Sequence, residues 1–167
     1  MAAMPSRRVL NLTGFAICAA LVGYALYEQT VLGIEPCPLC IFQRVGIMAM
    51  GLVFLVAGLH APRGLGAMPY GVLIDLAALV TMAIAAKHLW IQHLPEGAVP
   101  SCGANLATLM DMFPIVDVVK KVFNGSGECH QVNWSLLGLS MPGWVMLAAA
   151  ALGMLGLVAN LRTSRAD

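Results

Sequence analysis

The sequence predicts an all-α membrane protein, a four-transmembrane-helix bundle with two outward-facing cysteine loops. Three observations carry that prediction. Hydrophobic residues make up 60% of the 167-residue chain and charged residues only 10%, against about 45 to 50% apolar and 25% charged in a soluble domain. The apolar residues gather into runs of about 20, the length a helix needs to cross the hydrocarbon core. The arginines that flank these runs fall unevenly between the connecting segments, the pattern of a chain with a fixed orientation in a bilayer. With a net charge of +1 and no basic stripe or tail, nucleic acid is excluded as a partner.

The first span covers 9–27, behind Arg7 and Arg8. Ala19 and Ala20 are small enough for a cleaved leader, but the apolar run continues past them to Tyr24 and Tyr27, which suit the membrane interface, so a span is preferred. Cys18, at mid-span, reads as a packing residue. The second span is 41–59, a short turn with Pro62 and Arg63 follows His60, and the third span is 69–90. The fourth, 142–161, precedes Arg162 and Arg165. Four crossings put Arg7, Arg8, Arg63, Arg162 and Arg165 on one side, while the loop 28–40 carries no Lys or Arg. Both termini are therefore expected in the cytoplasm, with 28–40 and 91–141 outside. Trp90, Trp134 and Trp144 near span ends and in the outer loop fit the same placement. No repeat or linker divides the chain, so 1–167 reads as a single integral membrane domain. Within 91–141, Phe113, Ile115, Val116, Val118, Val119, Val122 and Phe123 alternate with Asp111, Asp117, Lys120 and Lys121. That is a short amphipathic helix, lying either on the membrane surface or against the bundle. Gly125-Ser126-Gly127 reads as a flexible turn ahead of Cys129.

Reactive chemistry is concentrated in Glu35-Pro36-Cys37-Pro38-Leu39-Cys40-Ile41-Phe42-Gln43-Arg44. Two cysteines separated by two residues close a small disulfide ring or offer two thiolates to a metal. Pro36 and Pro38 discourage helix before Cys40 and the composition turns helical from Ile41, so Cys40 is expected in the first turn of a helix. Backbone N–H groups there favour a thiolate, and Arg44, four residues on, adds a positive charge on the same face. Cys102 and Cys129 form a second, distant pair. On an oxidising face these four cysteines suggest two disulfides. A structural zinc site, with His93 or His130 as substitute ligands, is the competing reading, and it lacks a second short cysteine spacing. Purely structural disulfides are a further alternative, opposed by the position of the Cys37–Cys40 ring at a helix start beside Arg44. Exchange proceeds by thiolate attack through a mixed disulfide, so two pairs can pass oxidising equivalents in series. The outer pair would meet soluble partners, and the pair at the membrane boundary needs an electron acceptor. No G-x-G-x-x-G follows a strand, and a lipid-dissolved quinone reaches a helix N-terminus from within the bilayer. Arg44 would stabilise negative charge on a reduced quinone, or else snorkel to headgroups. Lys87, His88 and Asp75, at or near the third span, are functional candidates by default, with snorkelling or pairing near span ends favoured for Lys87 and Asp75.

Taken together, Cys37-Pro38-Leu39-Cys40-Ile41-Phe42-Gln43-Arg44, Cys102, Gly127-Glu128-Cys129 and the run from Trp134 through Ser135-Leu136-Leu137-Gly138-Leu139-Ser140-Met141-Pro142-Gly143 to Trp144 resemble the bacterial disulfide bond formation protein B (DsbB) family over nearly the whole chain. The resemblance implies four transmembrane helices in the bacterial inner membrane, a bound ubiquinone or menaquinone, and reoxidation of a soluble periplasmic thioredoxin-like oxidase, a DsbA-like partner; the spacing alone implies none of these. By the same match Cys102 takes the mixed disulfide with the partner, Cys129 passes the exchange to Cys37, and Cys40 is the thiolate next to quinone, with Arg44 beside it. His93, in Trp90-Ile91-Gln92-His93, corresponds to a quinone-side histidine, the competing reading being a solvated interfacial side chain. Gln43 stands where some members carry an acid.

Overall fold

The computed structural model describes residues 5–62, 64–95, 106–124, 129 and 134–161. Among the described residues, four helices are long and apolar enough to cross a membrane: α1 (Arg7–Thr30), α2 (Pro38–His60), α3 (Met68–Gln92, entered through a 3-10 turn at Gly64–Ala67) and, after the outer segment, α6 (Met141–Leu161). Each overruns its sequence-predicted span by one to three residues at most ends, because a helix continues into the interface after the apolar run stops. The starts are chemically marked. Ser6 Oγ accepts the Val9 N–H at 3.4 Å as an N-cap, and proline stands in the first turn of both α2 and α3. α2 stops at Ala61, in the left-handed region (φ 44) and followed by Pro62, which cannot continue a helix.

The helices close a ring in which α1 packs on α2, α2 on α3, α3 on α6 and α6 back on α1. Cys18, Ile47, Met50, Phe54, Ile74, Ala78, Ala149 and Leu152 fill its centre, so Cys18 has the packing role its position suggests. Outward-facing apolar residues such as Leu52, Leu76, Leu79 and Met154 are more than half exposed. An outside this apolar belongs in lipid. Two helix contacts depend on missing side chains: a Cβ at Gly46 would fall on the Thr81 hydroxyl, and one at Gly156 would press on Ile74. The first lets α2 and α3 approach closely just beneath the reactive segment.

At the end where the chain begins, Arg7 Nη1 donates to the Pro62 and Gly64 carbonyls, 3.4 Å from each. One turn deeper, Asn11 and Asn160 exchange amide hydrogen bonds of 3.2 and 3.0 Å and are almost fully buried. This reciprocal pair joins α1 to α6 where lipid offers no alternative partner. Asn160→Leu should lower the unfolding free energy by about 1 kcal/mol, read from the midpoint of an SDS titration in mixed micelles; an unshifted midpoint would show that the pair carries no net energy. Asp75, placed by sequence near a span end, instead lies two turns inside α3, close to Gly153 of α6.

The outer segment holds more structure than its composition suggested. α4 (Leu106–Met112) and α5 (Ile115–Asn124) are separated at Phe113-Pro114, and β1 (Ser135–Leu136) pairs antiparallel with β2 (Leu139–Ser140). Leu137 and Gly138 both have positive φ, 53 and 80, the geometry of a two-residue hairpin turn. α5 is the expected amphipathic helix, and it packs on the bundle: Val118 and Val122 are buried in a cluster with Cys37, Leu39, Ile84, Ile91 and Cys129. The Gly125-Ser126-Gly127 turn, Cys102, His130, Arg63, Arg162 and Arg165 lie outside the described residues.

Candidate functional site

Cys40 stands in the first turn of α2, as the prolines around Cys37 require. Cys37 is the N-cap, and its Sγ accepts the Cys40 backbone N–H at 3.4 Å. Capping by sulfur instead of oxygen brings the two Sγ atoms to 3.2 Å from one another at the positive end of the α2 dipole. From the outer segment Cys129, fully buried, approaches the same point, and its Sγ, the Cys37 Sγ and one His88 ring nitrogen lie within 4.8 Å of one another. Residues separated by more than 90 positions in the chain thus meet at one sulfur.

His88 organises the centre of this cluster. It belongs to the inward stripe of α3 that includes Thr81, Ala85 and Ile91, three to four residues apart, and only 2% of it is exposed. Its Nδ1 lies 3.2 Å from Gln43 Nε2 and 3.9 Å from Cys40 Sγ, and its Nε2 lies 3.7 Å from Cys37 Sγ. An amide NH2 can only donate, so Nδ1 accepts and the ring proton sits on Nε2, pointing at Cys37. In that tautomer the imidazole gives its hydrogen to whatever negative charge the Cys37 sulfur gains during exchange.

Arg44 lies one turn further along α2 and is turned toward α1, where Nη1 donates to Gln29 Oε1 at 2.6 Å and Nη2 to the Ala25 carbonyl at 3.0 Å. Its guanidinium is held between two helices at the edge of a cavity of about 920 Å³. Leu21 and Val22 of α1, Ile47 of α2 and Val145, Leu147 and Ala148 of α6 supply apolar wall, and Cys37, Cys40, Gln43, Arg44 and His88 supply the reactive end. Tyr24 and Trp134 meet edge-on at its outer rim, ring centroids 6.4 Å apart.

Of the sequence-predicted residues, Cys37, Cys40 and Cys129 are brought together and Arg44 shares their cavity. Cys102 lies outside the described residues. His93 is placed elsewhere: it caps the end of α3 as an exposed residue with Nδ1 2.7 Å from the Leu89 carbonyl, and it is not among the described residues lining the cavity. Among the described histidines, the one that reaches the sulfurs is His88. Lys87 is accounted for by its ammonium, 3.9 Å above the Trp90 ring. Two further polar residues, Glu28 and Gln43, went unassigned in the sequence although both are buried in the cavity wall.

A membrane-spanning bundle with a cysteine pair at a helix start and a third buried cysteine against it defines a membrane protein of thiol–disulfide chemistry. Comparison with known proteins agrees. The family model described as "Disulfide bond formation protein DsbB" matches residues 7–159. A curated relative from Methylococcus capsulatus, named disulfide bond formation protein B, is 44% identical over 155 residues, covering 93% of this chain and 94% of the relative. Another of that name, from Saccharophagus degradans, is 45% identical over 159 residues, covering 95% and 96%. The chain belongs to the DsbB family of disulfide-forming membrane oxidoreductases.

Proposed function

We propose that this protein is a quinone-linked thiol oxidase: it reoxidises a soluble periplasmic thioredoxin-like oxidase and delivers the electrons to ubiquinone or menaquinone. The observation that carries the reading is the continuity from Cys129 through Cys37 to Cys40, which ends in a cavity of about 920 Å³ with apolar walls and one guanidinium. Its size is within the range of small-molecule sites, and its mix of many apolar residues and few polar ones suits a flat, lipid-soluble ring. Leu21 and Leu147 belong both to the cavity wall and to the exposed surface of the bundle, which supports entry from lipid. A bound quinone supplies the capacity for two electrons and two protons. The chain's own part is to pass electrons inward, and a disulfide outward to the partner, by successive thiolate attack, with His88 donating to Cys37 and Arg44 holding positive charge where the electrons leave.

Buried Cys37 and Cys129 are closed to a soluble protein, which supports the role that the family resemblance gives Cys102, meeting the partner. In the inner membrane this reading puts both termini in the cytoplasm and both cysteine segments in the periplasm. The same convergence of Cys37, His88 and Cys129 also supplies three donors of the kind that bind zinc, so the test must separate the two. Purified protein is assayed for metal, for free thiols with and without reductant, and for oxidation of a reduced thioredoxin-like partner with and without added quinone. Quinone-dependent oxidation with metal-free, reducible disulfides is the expected result; stoichiometric zinc with four free outer thiols would replace the oxidase by a structural metal site. An impermeant maleimide applied to intact spheroplasts should label Cys102 after reduction, and labelling only in inverted vesicles would reverse the orientation.

A further inference from the structure

Two oxygens in the cavity wall have no hydrogen-bond partner. Glu28 Oε1 and Gln43 Oε1 are both unpartnered, on residues only 1% and 2% exposed, and both residues line the cavity that holds Cys40 and Arg44. Leaving a buried acceptor unpaired is costly enough that such groups point to something that binds there. Their polarity says what. A carboxylate oxygen and an amide oxygen accept and do not donate, and the donor end of the Gln43 amide, Nε2, is directed to His88 Nδ1. Arg44, which contributes donors to the same cavity, spends two of its N–H groups on Gln29 and Ala25.

An oxidised quinone offers only carbonyl oxygens, which are acceptors and would face these two oxygens with no hydrogen between them. The reduced form offers two O–H donors. We propose that the cavity is built for the reduced ligand, with Glu28 Oε1 and Gln43 Oε1 as acceptors for hydroquinone hydroxyls. The inference rests on the quinone reading and assigns it a direction. When Cys37 and Cys40 close one S–S bond, their two thiols lose two electrons and two protons; the two carbonyl oxygens of the quinone gain them as two O–H groups. Glu28 and Gln43 gain their hydrogen-bond donors only once those protons have arrived. Preference for the product form draws electrons out of the thiols and makes departure of hydroquinone the slower exchange of the ligand cycle.

The test is a binding measurement in a redox-inert background, Cys37→Ser with Cys40→Ser in the full chain, under anaerobic conditions. Decyl-ubiquinone and decyl-ubiquinol are titrated separately, with quenching of Trp134 and Trp144, both in the cavity wall, as the readout. The reduced form should bind about ten-fold more tightly than the oxidised one, the size of one or two buried acceptors gaining partners. Glu28→Leu should bring that ratio toward one by weakening ubiquinol alone, and Glu28→Gln, which keeps an acceptor oxygen, should retain most of it. Gln43→Leu supplies the same comparison if Glu28→Leu does not fold. Equal affinities in the parent, or a ratio unmoved by removal of either acceptor, overturns the proposal and leaves the quinone reading standing. Absence of quenching by either form overturns both.

Discussion

Replacing Cys129 by Ala is expected to reduce steady-state oxidation of a reduced partner to the background rate, while added oxidised partner, whose disulfide the free Cys102 thiolate can open, forms a mixed disulfide with Cys102. The reason is access. Cys129 is fully buried and Cys37 is 9% exposed, so neither sulfur is available to a thiolate carried by a soluble protein. Exchange needs attack along the S–S axis, which a folded partner cannot achieve at sulfurs buried in one cluster with Leu39 and with Val118 and Val122 of α5. On the proposed reading Cys102 takes the partner, and Cys129, buried against Cys37, passes the exchange inward. Without Cys129 there is no Cys102–Cys129 disulfide for a reduced partner to open and no thiol to carry electrons on to the Cys37–Cys40 pair. Non-reducing electrophoresis of the reaction, followed by peptide mapping of the adduct, checks the expectation. An adduct on Cys37 would mean that the partner enters at the membrane boundary and that the order of the relay is different.

The parts of this architecture that lipid or proline dictates were legible in the sequence. Spans are legible because contact with hydrocarbon forces nearly every outward residue to be apolar, and Cys40 in the first turn was legible because Pro36 and Pro38 leave the helix only one place to begin. The same lipid contact hides the rest. On α3 apolar residues occur on all faces, so no polar side points away from the core, and nothing in the pattern separates the inward Thr81, Ala85 and His88 from the outward Leu76, Leu79 and Val80. His88 was therefore one ionisable residue among three. Its spacing from Thr81, seven residues, was the available signal, but it became informative only once Gly46 was known to seat against the Thr81 hydroxyl and fix which face of α3 meets α2. Glu28 was hidden by a boundary. A span ended at residue 27 leaves it in a solvated loop, whereas α1 runs on to Thr30 and the returning chain at Gly33 to Pro36 forms part of the same cavity wall, with Glu28 buried. The hairpin at Ser135–Ser140 escaped for a similar reason, since Leu137 occupies a positive-φ turn position with none of the usual Asn or Asp signal.

Arg44 is where charge, cavity and helix packing meet, and its substitution should separate the two halves of the reaction. Arg44→Ala or Arg44→His is expected to lower quinone-dependent turnover by about 10²-fold, the order of effect seen when one preorganised stabilising donor is removed from a site where charge develops. Exchange between a reduced partner and the Cys102–Cys129 pair should continue at its normal single-turnover rate, because Arg44 is tied directly to α1 at the cavity edge while Cys129 packs with Val118 and Val122 of α5. The geometry also makes the lysine variant informative. Arginine spans Gln29 Oε1 and the Ala25 carbonyl with two nitrogens of a planar fork, and a lysine ammonium restores the charge without that bidentate hold, so Arg44→Lys should recover only part of the rate. If the guanidinium served only to tie α1 to α2, all three variants would shift the unfolding midpoint and leave the dependence of rate on quinone concentration where it was. Measuring that dependence, the single-turnover exchange and the midpoint on the same preparations decides the matter: a raised quinone requirement with intact exchange assigns Arg44 to the electron-accepting end, and an unchanged requirement makes it a structural strut between the two helices.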